Sequence, residues 1–142
     1  MVEIINRQRK YELDVARWEA FTARVVGVLP GVKDEGATVA FVSANAMRAL
    51  NREWRGKDYV TDVLSFPSEQ EAWERAAAAS LGDVVICLAQ AAKQAQENGL
   101  MLEEEIAQLI LHGLLHLCGY DHETDEGEMN RLELRLRKKL GI

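Results

Sequence analysis

The run Leu102-Glu-Glu-Glu-Ile-Ala-Gln-Leu-Ile-Leu-His112-Gly113-Leu-Leu-His116-Leu117-Cys-Gly119-Tyr-Asp-His122 decides how the rest of the chain is read. Its first part, Leu102–Leu117, predicts a helix. Ile106, Leu109, Ile110, Gly113, Leu114 and Leu117 leave little of its circumference polar, so the helix is expected to be central and buried. The acidic first turn, Glu103–Glu105, suits the positive end of the helix dipole. Gly119 stops the helix.

Outward from that helix, strands and helices interleave. Val2–Asn6, Ala37–Val42, Val63–Phe66 and Val84–Cys87 are short β-rich runs, the third closed by Pro67. Leu13, Ala16, Ala20, Phe21 and Val28 follow one another at roughly helical spacing, and Pro30-Gly31 ends that helix. Ser43 caps a second helix with an apolar stripe of Met47, Leu50 and Trp54, and Gly56 stops it. Leu88–Glu97 is an alanine-rich helix ended by Asn98-Gly99. Asp125 with Glu128 resembles a capping box for a last helix carrying Met129, Leu132, Leu136 and Leu140 on one face. The stretch Ser68–Ser80 reads as a mobile insertion or a short helix. The expected fold is α+β (α/β-like), a single domain over residues 1–142, with a small mixed β-sheet of about four strands packed with about five helices.

Composition narrows the class. The chain has 142 residues, 48% of them hydrophobic and 28% charged, enough for a core without staples. Cys87 and Cys118 sit in apolar runs and read as buried thiols of a reducing compartment, and no CxxC pair supports a cysteine-rich zinc knuckle. No apolar run approaches the roughly 20 residues of a membrane span. The N-terminus shows no signal pattern, so a cytoplasmic protein is expected. A net charge of −6 argues against a protein that coats nucleic acid non-specifically. Basic residues nevertheless gather at Arg48, Arg52, Arg55 and Lys57, and again from Arg131 to Lys139.

All 3 histidines of the chain fall between positions 112 and 122. His112 and His116 lie one helical turn apart and leave the same face, as two ligands of one metal require. His122 returns after the Gly119 turn, which completes the spacing HxxxHxxGxxH of a three-histidine site with an open fourth position. A lone histidine on an apolar helix is more often a satisfied core residue; three at ligand spacing are not. Three neutral imidazoles suit one zinc ion, and also nickel, copper or iron. Cys118 is a weak candidate for a fourth ligand, since it leaves the helix on another side. In zinc peptidases the residue after the first histidine is a glutamate that serves as general base. Here it is Gly113, so a peptidase reading loses its main support.

The run HGLLHLCGYDH (112–122) resembles the signature of the YbeY family of bacterial metal-dependent endoribonucleases. The segment from Leu50 through Arg55, Lys57, Asp58, Thr61 and Asp62 to Val-Leu-Ser65-Phe66-Pro67 is similar to that family's second signature. Leu81-Gly82-Asp83-Val-Val-Ile86-Cys87 resembles a third. Val60 stands where the family often has a proline, a local loop difference. The resemblance implies a small mixed sheet carrying helices, with the metal site at the mouth of a cleft. It implies hydrolysis of single-stranded RNA in ribosomal RNA (16S 3′-end) maturation and small-subunit quality control. The implied partners are ribosomal RNA, the small ribosomal subunit and its assembly factors, with no DNA and no membrane. It also singles out Arg55, which matches the arginine of the second signature, as the phosphate-binding catalytic residue. From its residue type alone Arg55 would be a solvated helix-end charge.

Other residues near these motifs carry weaker readings. Asp121 either orients a histidine or caps the following turn, and the turn is preferred. Asp62 and Ser65 are placed within reach of the cleft, the other reading of Ser65 being an outward side chain on a strand, while Asp83 after Gly82 reads as a turn in preference to a buried structural carboxylate. Two alternatives remain open on the residues: a metallohydrolase of another substrate class, and a non-enzymatic ribosome-assembly module held together by its metal.

Overall fold

The computed structural model describes residues 1–68, 80–121 and 123–142. Four strands and five helices are present among them: β1 (Val2–Asn6), α1 (Val15–Val28), β2 (Gly36–Val42), α2 (Ala44–Arg55), β3 (Val63–Pro67), β4 (Ser80–Cys87), α3 (Leu88–Glu97), α4 (Leu102–Leu117) and α5 (Glu128–Leu140). The sheet is mixed, in the order β1-β2-β4-β3. β1 and β4 both run parallel to β2, and β3 runs antiparallel to β4. This is the expected α+β architecture. The stretch 69–79, read above as an insertion or helix, lies outside the described residues, and so does His122.

The period-2 alternation of β4 sorts the molecule into two cores. Val84 and Ile86 join the large cluster with Phe41, Val39, α1, α4 and α5, whereas Val85 and Cys87 join a smaller one with Leu64, Val42 and Met47 of α2. Helix α4 lies on the large-core face against β3 and β4, and touches α1, α3 and α5 as well. Its side chains are buried nearly all round, as its sequence demands. Its start has no good side-chain acceptor at Met101, and Glu104 compensates by accepting the Met101 N–H at 3.0 Å.

Several elements differ in detail from expectation. The buried face of α1 is Trp18, Phe21, Thr22, Val25 and Val26, and Ala16 and Ala20 are exposed. The bulkier side chains bury more apolar area and set the helix's rotation. β3 includes Pro67, which is tolerated because among the described strands β3 is an edge strand, paired with β4. β4 begins at Ser80, so Asp83 sits within a strand, opposite Thr38 and Phe66, and not in a turn. Gly82 is a close-approach residue: a Cβ there would collide with the Phe66 carbonyl, and its φ is +128°. The cap of α5 is displaced by one residue from a capping box. The Asp125 carboxylate accepts from Met129 N and Gly127 N, each at 2.9 Å, and Glu128 accepts from Glu126 N.

Candidate active site

Because β3 alternates, Leu64 and Phe66 face α2, and Val63 and Ser65 face α4. The Ser65 hydroxyl donates to the Gly113 carbonyl at 3.0 Å and ties the last turns of α4 to the strand. At that point helix and sheet touch: a Cβ on Gly113 would lie 2.6 Å from Val84 Cγ1 and 3.3 Å from Ser65 Oγ. Position 113 therefore faces the sheet and has no room for a side chain. A glutamate there would meet Val84, which turns the missing peptidase base from a sequence observation into a steric one.

The same close packing carries His112 and His116 to the rim of the sheet. With β3 and the end of α2 they line an open cleft of about 660 Å³, which also takes in Trp54, Arg55 and Asp62. The two rings stand nearly perpendicular, with centroids 4.7 Å apart and Nε2 atoms 3.1 Å apart. Each Nδ1 is held from behind. His116 Nδ1 lies 2.9 Å from the Tyr120 carbonyl, which the left-handed turn at Gly119 (φ +94°) brings back beneath it. His112 Nδ1 lies 2.9 Å from Glu133 Oε1 of α5.

These partners settle the tautomers. A carbonyl can only accept, so His116 Nδ1 carries its proton. Burial pushes the Glu133 carboxyl up, but the His112 hydrogen bond and the Arg137 charge outweigh burial and hold it below the ordinary glutamate range. Glu133 is therefore an ionised acceptor, and His112 Nδ1 donates to it. Both Nε2 lone pairs then converge on one region, where a shared electrophile makes their closeness favourable. A tetrahedral ion with bonds of about 2.0–2.1 Å would set two imidazole nitrogens roughly 3.3 Å apart, close to the spacing seen. Donor type, tautomer and convergence all fit a metal ion of the zinc class.

Glu133 was invisible to sequence reasoning. It stands on the apolar face of α5 between Leu132 and Leu136, is buried, and has no motif around it. Arg137, one turn on, reaches to 4.0 Å from the same carboxylate oxygen.

Arg55, at the C-terminal end of α2, lines the histidine cleft, and no carboxylate among the described residues pairs with it. The other cations of its segment are placed differently. Arg48 makes a two-pronged pair with Asp58 at 2.8 and 3.2 Å, and Arg52 lies 3.9 Å from the same carboxylate. The Asp58 carboxyl is held below its ordinary value chiefly by the Arg48 hydrogen bond. Buried Asn51 secures the same loop by donating to the Tyr59 carbonyl at 2.9 Å. Trp54 does not belong to an apolar stripe buried with Met47: it is 63% exposed and meets Phe66 of β3 nearly edge-on, with centroids 5.8 Å apart.

The remaining residues play quieter parts. The Asp62 carboxylate accepts from its neighbour Val63 N at 2.8 Å and from Gln94 Nε2 at 3.0 Å, and the same amide nitrogen bridges to buried Glu105 at 3.1 Å. Asp121 makes the turn: its Oδ1 accepts from Glu123 N at 3.0 Å. Cys118 packs against the large core, and burial, with the charge of Glu35, pushes its thiol up.

Fold and site together define a class: a small α+β protein in which an imidazole pair and a guanidinium with no carboxylate partner among the described residues line one open cleft. Comparison with known proteins narrows the class. The family model described as Endoribonuclease YbeY matches residues 3–141. The chain is 52% identical to the Endoribonuclease YbeY of Solibacter usitatus over 68% of this chain and 60% of that protein. It is 42% identical to that of Thermus thermophilus (89% of each chain), and 35% identical to that of Geobacter metallireducens (99% of this chain, 94% of the relative). The stretch matched thus spans less than two thirds of the Solibacter relative and nearly all of the other two. The solution structure of TM1509 from Thermotoga maritima superposes with a TM-score of 0.67 at 26% identity, covering 99% of this chain and 89% of that one. The chain belongs to the YbeY family of endoribonucleases.

Proposed function

We propose that this chain is a single-strand-specific, metal-dependent endoribonuclease of ribosomal RNA maturation, working on the small ribosomal subunit. The observation that carries the reading is the pair of converging Nε2 atoms, each backed by an acceptor-only partner, in the cleft that Arg55 also lines. Family membership supplies the substrate class. The steric closure of position 113 weighs against a peptidase.

His112, His116 and His122 would hold one ion of the zinc class, which when bound supplies Lewis-acid stabilisation of charge building on phosphate oxygens. The chain's own groups do the rest. Glu133 and the Tyr120 carbonyl keep the two imidazoles in the tautomer that presents Nε2. Arg55 binds the phosphate through its planar fork and meets the charge that grows as the ester bond breaks. The β3 residues that line the cleft and the indole of Trp54 form the floor and wall along which an extended strand would lie.

The test is metal analysis of protein purified without added metal, together with a single-stranded RNA cleavage assay on wild type and His116→Ala. The expected result is about one ion per wild-type chain, and loss of both ion and cleavage in the variant. Full cleavage by a metal-free His116→Ala protein overturns the proposal.

A further inference from the structure

An acidic chain that grips RNA at one phosphate needs further local binding energy, because its overall charge of −6 repels the polymer. The surface offers a source that no charge argument reveals. Six large hydrophobic side chains are exposed among the described residues, and of these Trp54 is the one that lines the histidine cleft. Isolated surface hydrophobics need no explanation, but this one has three particular features. It directly precedes Arg55 on α2. It is braced by Phe66, whose near-perpendicular ring (75°) covers at most one face of the indole. And no described cation lies over it, the two cation–aromatic pairs being at Tyr11 and Trp18.

We propose that Trp54 is a nucleobase-stacking platform, on which one base of a single-stranded RNA rests while Arg55 holds an adjacent phosphate. The inference rests on the endoribonuclease reading and deepens it. A flat π-surface accepts every base, so the contact favours strand form over sequence. It also discriminates by structure. Bases in a duplex are already stacked and turned inward, whereas an unpaired base can splay out onto an aromatic ring. Preference for single strands then comes from the wall of the cleft and not from the histidine centre. The bracing by Phe66 restricts the indole before RNA arrives, which lowers the entropy lost on stacking.

The test is single-turnover cleavage of a mixed-sequence twenty-nucleotide RNA, whose dependence on enzyme concentration separates binding from the chemical step. Trp54→Ala is expected to raise the half-saturating concentration roughly five- to a hundredfold, the range for losing one stacked base, while the maximal rate changes little. Trp54→Phe should recover most of the loss and abolish the indole quenching that RNA causes in the wild type. The Trp54→Ala deficit should persist as salt rises, whereas the deficit of Arg55→Ala shrinks because it loses a phosphate contact. Wild-type saturation by Trp54→Ala, or a deficit that vanishes with salt, overturns the stacking role while Arg55→Ala remains impaired. Failure of the wild type to cleave the strand overturns the endoribonuclease reading itself.

Discussion

Under the proposed function Arg55 and Glu133 do different kinds of work, and their variants should separate. Arg55 faces open cleft with no carboxylate partner among the described residues, so removing it leaves no buried group unpaired. Arg55→Ala should keep folding and metal content while cutting single-stranded RNA cleavage ten- to a thousandfold, the range for one lost transition-state contact. Arg55→Lys should restore part of the rate, since it keeps the charge and loses the fork. Cleavage by Arg55→Ala at the wild-type rate would remove the residue from the mechanism. Glu133 hydrogen-bonds His112 Nδ1, and under the proposed function it works through that ring. Glu133→Gln keeps an acceptor for His112 Nδ1–H and loses the charge that fixes the tautomer. A zinc-competition titration should show affinity reduced about ten- to a hundredfold. Unchanged zinc affinity would make the Glu133–His112 bond a packing feature only.

At the scale of elements, the site depends on how tightly α4 lies on the sheet. Gly113→Ala places a methyl within 2.6 Å of Val84 Cγ1, and overpacking of this kind costs about 1–3 kcal/mol. Urea unfolding should report that loss, and Val84→Ala in the same chain should recover part of it, because the methyl then has room. A Gly113→Ala protein as stable as wild type would mean that α4 can lift off without cost. The loop after α2 is held by charge. The Asp58 carboxyl is depressed chiefly by its hydrogen bond to Arg48, so the pair favours the folded state above the unfolded carboxylate pKa of about 3.9 and is lost as pH falls through the lower folded value. Asp58→Asn should therefore be slightly less stable than wild type at neutral pH and low salt. The two midpoints should converge below about pH 4, and also at high salt, where exposed pairs are screened. A difference that grows on acidification would contradict the pairing. Among the described residues no helix is long and apolar enough to cross a membrane.

For the molecule as a whole, the histidine centre stands at the rim of the large core, and both hydrophobic clusters pack on the sheet through apolar side chains that do not include the histidines. Removing metal with a chelator should therefore abolish cleavage, leave the helical circular-dichroism signal intact and lower the thermal midpoint, because an ion that binds only the native state stabilises it by mass action. Re-added zinc should restore both. Collapse of the secondary structure on chelation would instead identify a structural metal. How the parts were legible follows from the range of each interaction. The hydrophobic period of Leu102–Leu117, the four β-rich runs and the histidine spacing are local, and each was plain from the chain. So was Gly113, although its cause was not: the contact with Val84 arises only when helix and sheet meet. Trp54 falls in the apolar stripe of its helix with Met47 and Leu50, but a stripe records spacing and not what lies opposite, and among the described residues it meets Phe66 of β3 and stays exposed. Asp83 was mistaken for a turn because a Gly-Asp pair signals a bend, and only pairing with β2 and β3 made it extended. Glu133 left no trace at all, since a carboxylate on an apolar face means nothing until the packing of α5 brings it to His112, 21 positions away in sequence. Spacing along one helix could align two imidazoles. Their tautomers depended on acceptors that only tertiary packing could supply.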